Sequence, residues 1–235
     1  MLEKFLRWFN MEDLARLGIS KLEKAFGGYL KHGTTIAITG PTGIGKSVLA
    51  MQLLINGIKF GERGLYIVME FNKNYFYQTF EGFNWNIKEY EEAGMLMVID
   101  YPFTEIGQFI GQGNPLKEII KKYNIKRVVV DSIKPIVNQA SNEQQLVDYL
   151  IKTSNKIKEW GTLNLVISES ENYDLNSFPK SPFNLESYFD CWVSMNFEIN
   201  KEEWKRWLAV IKSKHKHTIK PLYFSIEKNG IIIED

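Results

Sequence analysis

Apolar residues in this 235-residue chain fall into short continuous runs and into stripes at helical spacing, and the two kinds alternate. The runs at residues 34–39 (TTIAIT), 65–69 (LYIVM), 95–99 (MLMVI), 127–131 (RVVVD) and 163–167 (LNLVI) read as strands buried on both faces. Helical stripes lie between them. Residues 47–60 place Leu49, Leu53, Leu54 and Ile58 on one side, residues 72–93 suggest two short helices, and residues 115–123 begin with the proline that suits a first turn. Further on, Val147, Leu150, Ile151, Ser154 and Ile157 share a face of a helix for which Ser141 and Gln144 form a capping box. Residues 101–114 are Gly-rich and loop-like, although Ile106, Phe109 and Ile110 fit one helical turn.

This alternation predicts an α/β fold, a mainly parallel central sheet flanked by helices. After a long loop at residues 170–187, strand signals take over at 190–197, 205–212, 220–226 and 230–233, with an Asn229-Gly230 turn before the last. They predict a C-terminal antiparallel extension. At the other end, residues 1–15 put Leu2, Phe5, Leu6 and Phe9 on one helical stripe, giving an N-terminal amphipathic helix (1–16) before a single domain (17–235). That helix either packs on its own domain or a neighbouring subunit, or anchors to a membrane surface or partner; a basic face for the membrane reading is missing.

Composition narrows the picture. With 44% hydrophobic and 24% charged residues the chain has the make-up of an ordinary globular domain, and its length accommodates one such domain. A net charge of +1 gives no global pull towards nucleic acid or anionic lipid. Cys191 is the only cysteine, no run approaches the ~20 apolar residues of a membrane span, and no signal-peptide pattern opens the chain, so a cytoplasmic protein is expected.

The chemistry enters between the first strand and the helix after it. Gly40, Pro41, Thr42, Gly43, Ile44, Gly45, Lys46 and Ser47 fit the phosphate-binding pattern G-x-x-x-x-G-K-[ST] without a mismatch. Glycines let backbone N–H groups turn inward around phosphate oxygens, the helix N-terminus adds its partial positive charge, Lys46 reaches the β and γ phosphates, and the Ser47 hydroxyl is a ligand for Mg²⁺. Asp131 ends an apolar strand, as the Mg²⁺-holding Walker B acid does, making ATP and Mg²⁺ the expected ligands. Glu70, at the end of another strand, is either the base that activates water or a carboxylate on Mg²⁺-bound water. Ser168 and Glu169 end a third strand and either contact the γ-phosphate or bond locally.

The order of these pieces resembles the RecA superfamily and, within it, the KaiC-like ATPases widespread in archaea. LGISKLEKAFGGYLKHG is similar to the family's opening motif, ITGPTGIGKS to its P-loop, VVVDS to its Walker B, and GFNWNIKEYEEAGMLMVID to its helix, Gly-Trp and acidic segment. RWLAVIKSKHKH is similar to the late strand that carries a Lys-x-Arg pair. The resemblance implies an ATP-binding domain in a ring, usually a hexamer, with nucleotide between subunits and the pair, here Lys212 and Lys214, reaching a neighbour's site. Both lysines sit on one predicted strand face, and their own segment contains no acid.

Four features depart from that family. Glu70 is followed by Phe71 where two adjacent acids are usual, Lys214 replaces arginine, His215 follows where glycine is usual, and Glu23 replaces aspartate. A slow ATPase acting in signalling or regulated assembly is therefore expected, with a non-hydrolysing nucleotide-dependent assembly module as the alternative. A single-stranded-DNA-binding ATPase is the lesser rival: the loop 170–187 offers Tyr173, Phe178 and Phe183 for stacking but only Lys180 for charge. Glu186 and Ser187 fall where the clock kinase of this family has its phosphorylated pair, and one hydroxyl of two argues against an autokinase. His215 and His217 share a predicted strand face without further metal ligands nearby.

Overall fold

The strand that leads into the phosphate-binding pattern is the centre of the sheet. In the computed structural model, which describes residues 13–101, 105–111, 113–199 and 203–234, β3 (Thr35–Gly40) is buried throughout. It lies parallel between β7 (Leu163–Glu169) and β8 (Cys191–Ile199). Beyond β7 follow β6 (Ile125–Asp131), β4 (Arg63–Val68) and β5 (Leu96–Asp100), all parallel. On the other side β9 (Trp204–Lys212), β10 (Leu222–Glu227) and β11 (Gly230–Ile233) form the antiparallel extension. The full order is β11-β10-β9-β8-β3-β7-β6-β4-β5. The extension begins one strand later than the pattern suggests, because the long loop carries the chain back across the sheet and β8 enters parallel to β3.

Strand alternation sorts side chains into two cores. Ile36, Ile38, Tyr66, Val68, Val129, Leu165 and Ile167 pack with α1 (Ser20–Ala25), α2 (Lys46–Lys59), α3 (Lys73–Phe80) and α4 (Ile87–Glu92). Ala37, Leu65, Ile67, Val128, Val130 and Val166 pack on the opposite face. There they meet α5 (Ile106–Ile110), α6 (Pro115–Lys122), α7 (Lys134–Asn138) and α8 (Glu143–Lys158). Each fully buried aliphatic side chain contributes about 1.5–3 kcal/mol, so a sheet covered on both sides is the stable way to bury continuous runs. α2 is buried around most of its circumference, Met51 and Ile55 included, and it packs across one face of the sheet from β4 and β6 to the edge strand β11.

Several elements differ from the sequence reading. Leu14–Ala15 is a short strand, β1, paired with β2 (Leu30–Lys31), and Ala15 is fully buried, so the packed domain begins before residue 17; residues 1–12, the bulk of the expected amphipathic helix, lie outside the described residues. α8 is capped by Asn142, whose side chain accepts from the Gln145 N–H at 2.9 Å, while the Gln145 side chain accepts from the Ser141 N–H at 2.7 Å. The capping box is thus one residue further on than Ser141 and Gln144. Its buried face is rotated accordingly to Leu150, Thr153, Ser154 and Ile157, leaving Val147 and Ile151 exposed. His215 and His217 follow β9 in a loop and do not share a strand face.

One buried cation ties the far end of the sheet together. Arg127 is fully buried on β6, and it donates to Glu62, to the Leu53 carbonyl at 2.6 Å and to the Arg16 carbonyl at 2.5 Å. Gly57 makes room for it: a Cβ there would stand 2.2 Å from Arg127 Nε. Burial alone would raise the Glu62 carboxyl, but hydrogen bonds from His32 and Arg127 hold it below its ordinary value.

Candidate functional site

The turn out of β3 is built around two glycines. Gly40 has φ 156°, and a side chain there would meet the Met195 carbonyl oxygen at 2.3 Å; Gly45 caps α2 at φ 111°, where a Cβ would meet Ile226 Cδ1 at 2.7 Å. The chain therefore turns tightly enough to aim the first N–H groups of α2 into a cavity of about 400 Å³. Thr42, Gly43, Gly45, Lys46 and Ser47 line it, together with Glu70, Asp131 and Glu169. Gly40, Pro41 and Ile44 support the loop from behind. Ile44 is fully buried, and the carbonyls of Gly40 and Pro41 accept from Lys46 Nζ at 2.8 and 3.0 Å.

The strand ends supply the remaining groups. Asp131 closes β6, and its Oδ2 accepts from the Tyr66 hydroxyl at 2.5 Å; the Ser47 hydroxyl interacts with both. Burial pushes the Asp131 carboxyl up, partly offset by the Tyr66 and Ser47 hydrogen bonds, and burial pushes the Tyr66 phenol well up. Glu70, just past the end of β4, accepts from the Ser132 hydroxyl. Burial lowers Lys46 from the usual lysine range, against the pull of Glu169, Asp131 and Glu70. Four of the expected residues, Lys46, Ser47, Glu70 and Asp131, thus meet in one place.

Ser47 and Asp131 offer a hydroxyl and a carboxylate, an oxygen-only pair suited to a hard cation that keeps most of its waters. Among the described residues no three His, Cys, Asp or Glu side chains cluster as metal ligands, and a cation at this pair would need further oxygens from water or substrate.

Other expectations move. Ser168 is buried beneath the site and its hydroxyl reaches only the Glu169 carbonyl, at 3.5 Å; Glu169 is the residue that faces the cavity, accepting from Thr42 Oγ1 at 2.9 Å. Lys212 ends β9 and Lys214 lies beyond it, so they do not share a strand face. Lys212 donates to the carbonyls of Glu186 and Phe189, and Lys214 pairs with buried Asp190 at 2.5 Å. The acid missing from their own segment is Asp190, immediately before β8. Glu186 accepts from Ser181 within a 3₁₀ turn (Pro182–Ser187). Glu23, in the aspartate position of the opening motif, accepts from the N–H groups of Leu17 and Gly18 at 2.7 and 3.0 Å.

Sequence reasoning missed Tyr66, hidden inside an apolar run, and Ser132, which orients Glu70. It also missed the aromatic wall of Phe71, Tyr75, Phe76 and Phe80. Phe71 and Tyr75 pack ring on ring at 4.6 Å and are half-exposed. An aromatic just past β4 followed by aromatics at helical spacing is the signal that could have found that wall.

Residues 15–235 match the family model described as the KaiC ATPase. This chain belongs to the KaiC ATPase family. Among similar proteins, a UPF0273 protein of Pyrococcus horikoshii is 25% identical over 245 residues, covering 95% of this chain and 94% of that protein. A circadian clock oscillator protein KaiC of Nostoc is 27% identical over 218 residues, covering 88% of this chain but 41% of that protein. The chain thus spans about two fifths of the KaiC clock protein. The crystal structure of a KaiC-like protein from Pyrococcus horikoshii OT3 aligns with a TM-score of 0.81 over 94% of this chain and 99% of that one, at 24% identity, a likeness of fold. The KaiC-like, RecA-type α/β fold expected from sequence is therefore the fold observed.

Proposed function

We propose that this KaiC-family chain binds Mg·ATP over its phosphate-binding loop and hydrolyses it slowly, as part of a homo-oligomeric ring used in signalling or regulated assembly. The observation that carries the reading is the convergence of Lys46, Ser47, Asp131 and Glu70, from a loop and two further strand ends, on one cavity. The loop N–H groups and Lys46 hold the β and γ phosphates; Ser47 and Asp131 hold Mg²⁺, which when bound neutralises charge on the phosphate oxygens. Tyr66 fixes the Asp131 carboxylate towards Ser47. Glu70, positioned by Ser132 at the rim, takes the proton of the attacking water. Phe71 stands where an adjacent second acid would share that task, which is the argument for slow turnover.

The same Phe71 favours a second reading, an assembly module that binds ATP and hardly hydrolyses it. Phosphate release by the parent and by Glu70→Gln, with and without Mg²⁺, separates the two. The expected result is slow Mg²⁺-dependent release that falls by about 100-fold in the variant while nucleotide affinity is kept. Equal rates would remove Glu70 from the mechanism, and a parent that binds ATP without releasing phosphate would select the assembly module.

A further inference from the structure

Lys134 opens α7 two residues after the Asp131-Ser132 pair, and Pro135 follows it into the helix. Its ammonium stands 2.8 Å from Glu169 Oε2 and 4.0 Å from Glu70 Oε2. Both carboxylates line the nucleotide cavity, and the other oxygen of Glu169 accepts from Thr42 on the phosphate-binding loop at 2.9 Å. Lys134 therefore stands beside two carboxylates of the rim, and the charge of Lys134 disfavours that of Lys46. Its side chain is nearly half exposed, on a flexible four-carbon stem that leaves the ammonium able to swing. The two late lysines that the family resemblance implied for charge donation are engaged within their own chain, by carbonyl oxygens and by Asp190.

We propose that Lys134 reads the terminal phosphate of ATP within its own subunit, leaving Glu169 for the γ-phosphate and returning to Glu169 when ADP is bound. The reasoning rests on the Mg·ATP reading above. Coulomb attraction scales with the product of charges, and a terminal phosphate carries close to two negative charges against one on Glu169. Mg²⁺ and Lys46 offset part of that charge, so the exchange is carried by the remaining attraction together with the phosphate's repulsion of Glu169 and Glu70, which loosens the Lys134–Glu169 pair. ADP ends one phosphoryl group sooner, so its terminal oxygens stay with Lys46 and the loop. Lys134 then distinguishes the two nucleotides, while Lys46 binds both.

Titration of the full chain with Mg·ATP and with Mg·ADP tests this, using the parent, Lys134→Ala, Lys134→Arg and, as a control for the site itself, Lys46→Ala. In Lys134→Ala the ATP-to-ADP affinity ratio should fall about tenfold, the size of one charge-assisted hydrogen bond, with ADP affinity unchanged; Lys134→Arg should keep most of the ratio. An unchanged ratio in Lys134→Ala, with the parent binding both nucleotides, overturns the inference and leaves the Mg·ATP reading standing. An equal loss of ATP and ADP affinity also overturns it, since Lys134 would then only shape the site. A parent that binds neither nucleotide overturns both.

Discussion

At the scale of single residues, two buried charges were solved in different ways, and only one could be read from the sequence. Lys46 announces itself because its partners are its neighbours: the loop that needs it is the loop that carries it. Arg127 does not, because Glu62, Leu53 and Arg16 lie 65, 74 and 111 positions away and meet it only once β6 is placed beside α2. Glu62→Gln tests the weight of that cluster. Losing the carboxylate leaves a fully buried guanidinium without its counter-charge, so unfolding stability at neutral pH should drop by about 2–3 kcal/mol, or Tm by roughly 4–12 °C. The pH dependence has a definite sign. The folded Glu62 carboxyl lies below its ordinary value of 4.5, so its contribution is complete above that pH and disappears as pH falls through the lower folded value. Parent and Glu62→Gln stability curves, measured by urea unfolding from pH 7 to pH 3, should therefore converge on the acid side. Parallel curves would show that the folded Glu62 gives up its proton no more readily than an unfolded glutamate.

At the scale of elements, strands and helices were legible wherever one rule dominated. β3, β6 and β7 are central and doubly buried, so continuous apolar runs mark them within a residue or two. α8 shows where the pattern misleads: its sequence offers two overlapping apolar stripes, and packing on the sheet chooses the one that includes Thr153 over the one that includes Val147 and Ile151. The cap shifts with it. Asn142→Ala should cost about 1 kcal/mol of stability in thermal or denaturant unfolding. Ser141→Ala should stay within ~0.5 kcal/mol, since Ser141 takes part through its backbone N–H alone. The reverse ranking would restore Ser141 as the cap. α7 was not anticipated: it is five residues long, with Pro135 in a first turn where it costs no hydrogen bond, and that helix is what delivers Lys134 to the rim.

At the scale of the whole molecule, the site is an outcome of topology. Parallel strands bring their C-terminal ends to one side of the sheet, and Gly40, Asp131 and Glu169, with Glu70 just past β4, are the residues found there. The acid and the phosphate-binding loop were legible because each sits at the end of a recognisable strand. The fates of Ser168, Lys212 and Lys214 were not, since side-chain direction at a strand end and the arrival of Asp190 from β8 depend on how the long loop at residues 170–187 returns the chain. Among the described residues no helix is long and apolar enough to cross a membrane. The ligand proposed for this site is a nucleotide, and the most direct test is calorimetric titration of Mg·ATP into the parent and into Lys46→Ala, each confirmed folded by its unfolding transition. Saturable binding by the parent and at least about 100-fold weaker binding by Lys46→Ala is the predicted result. Equal affinity in a folded Lys46→Ala protein would contradict the assignment of the site.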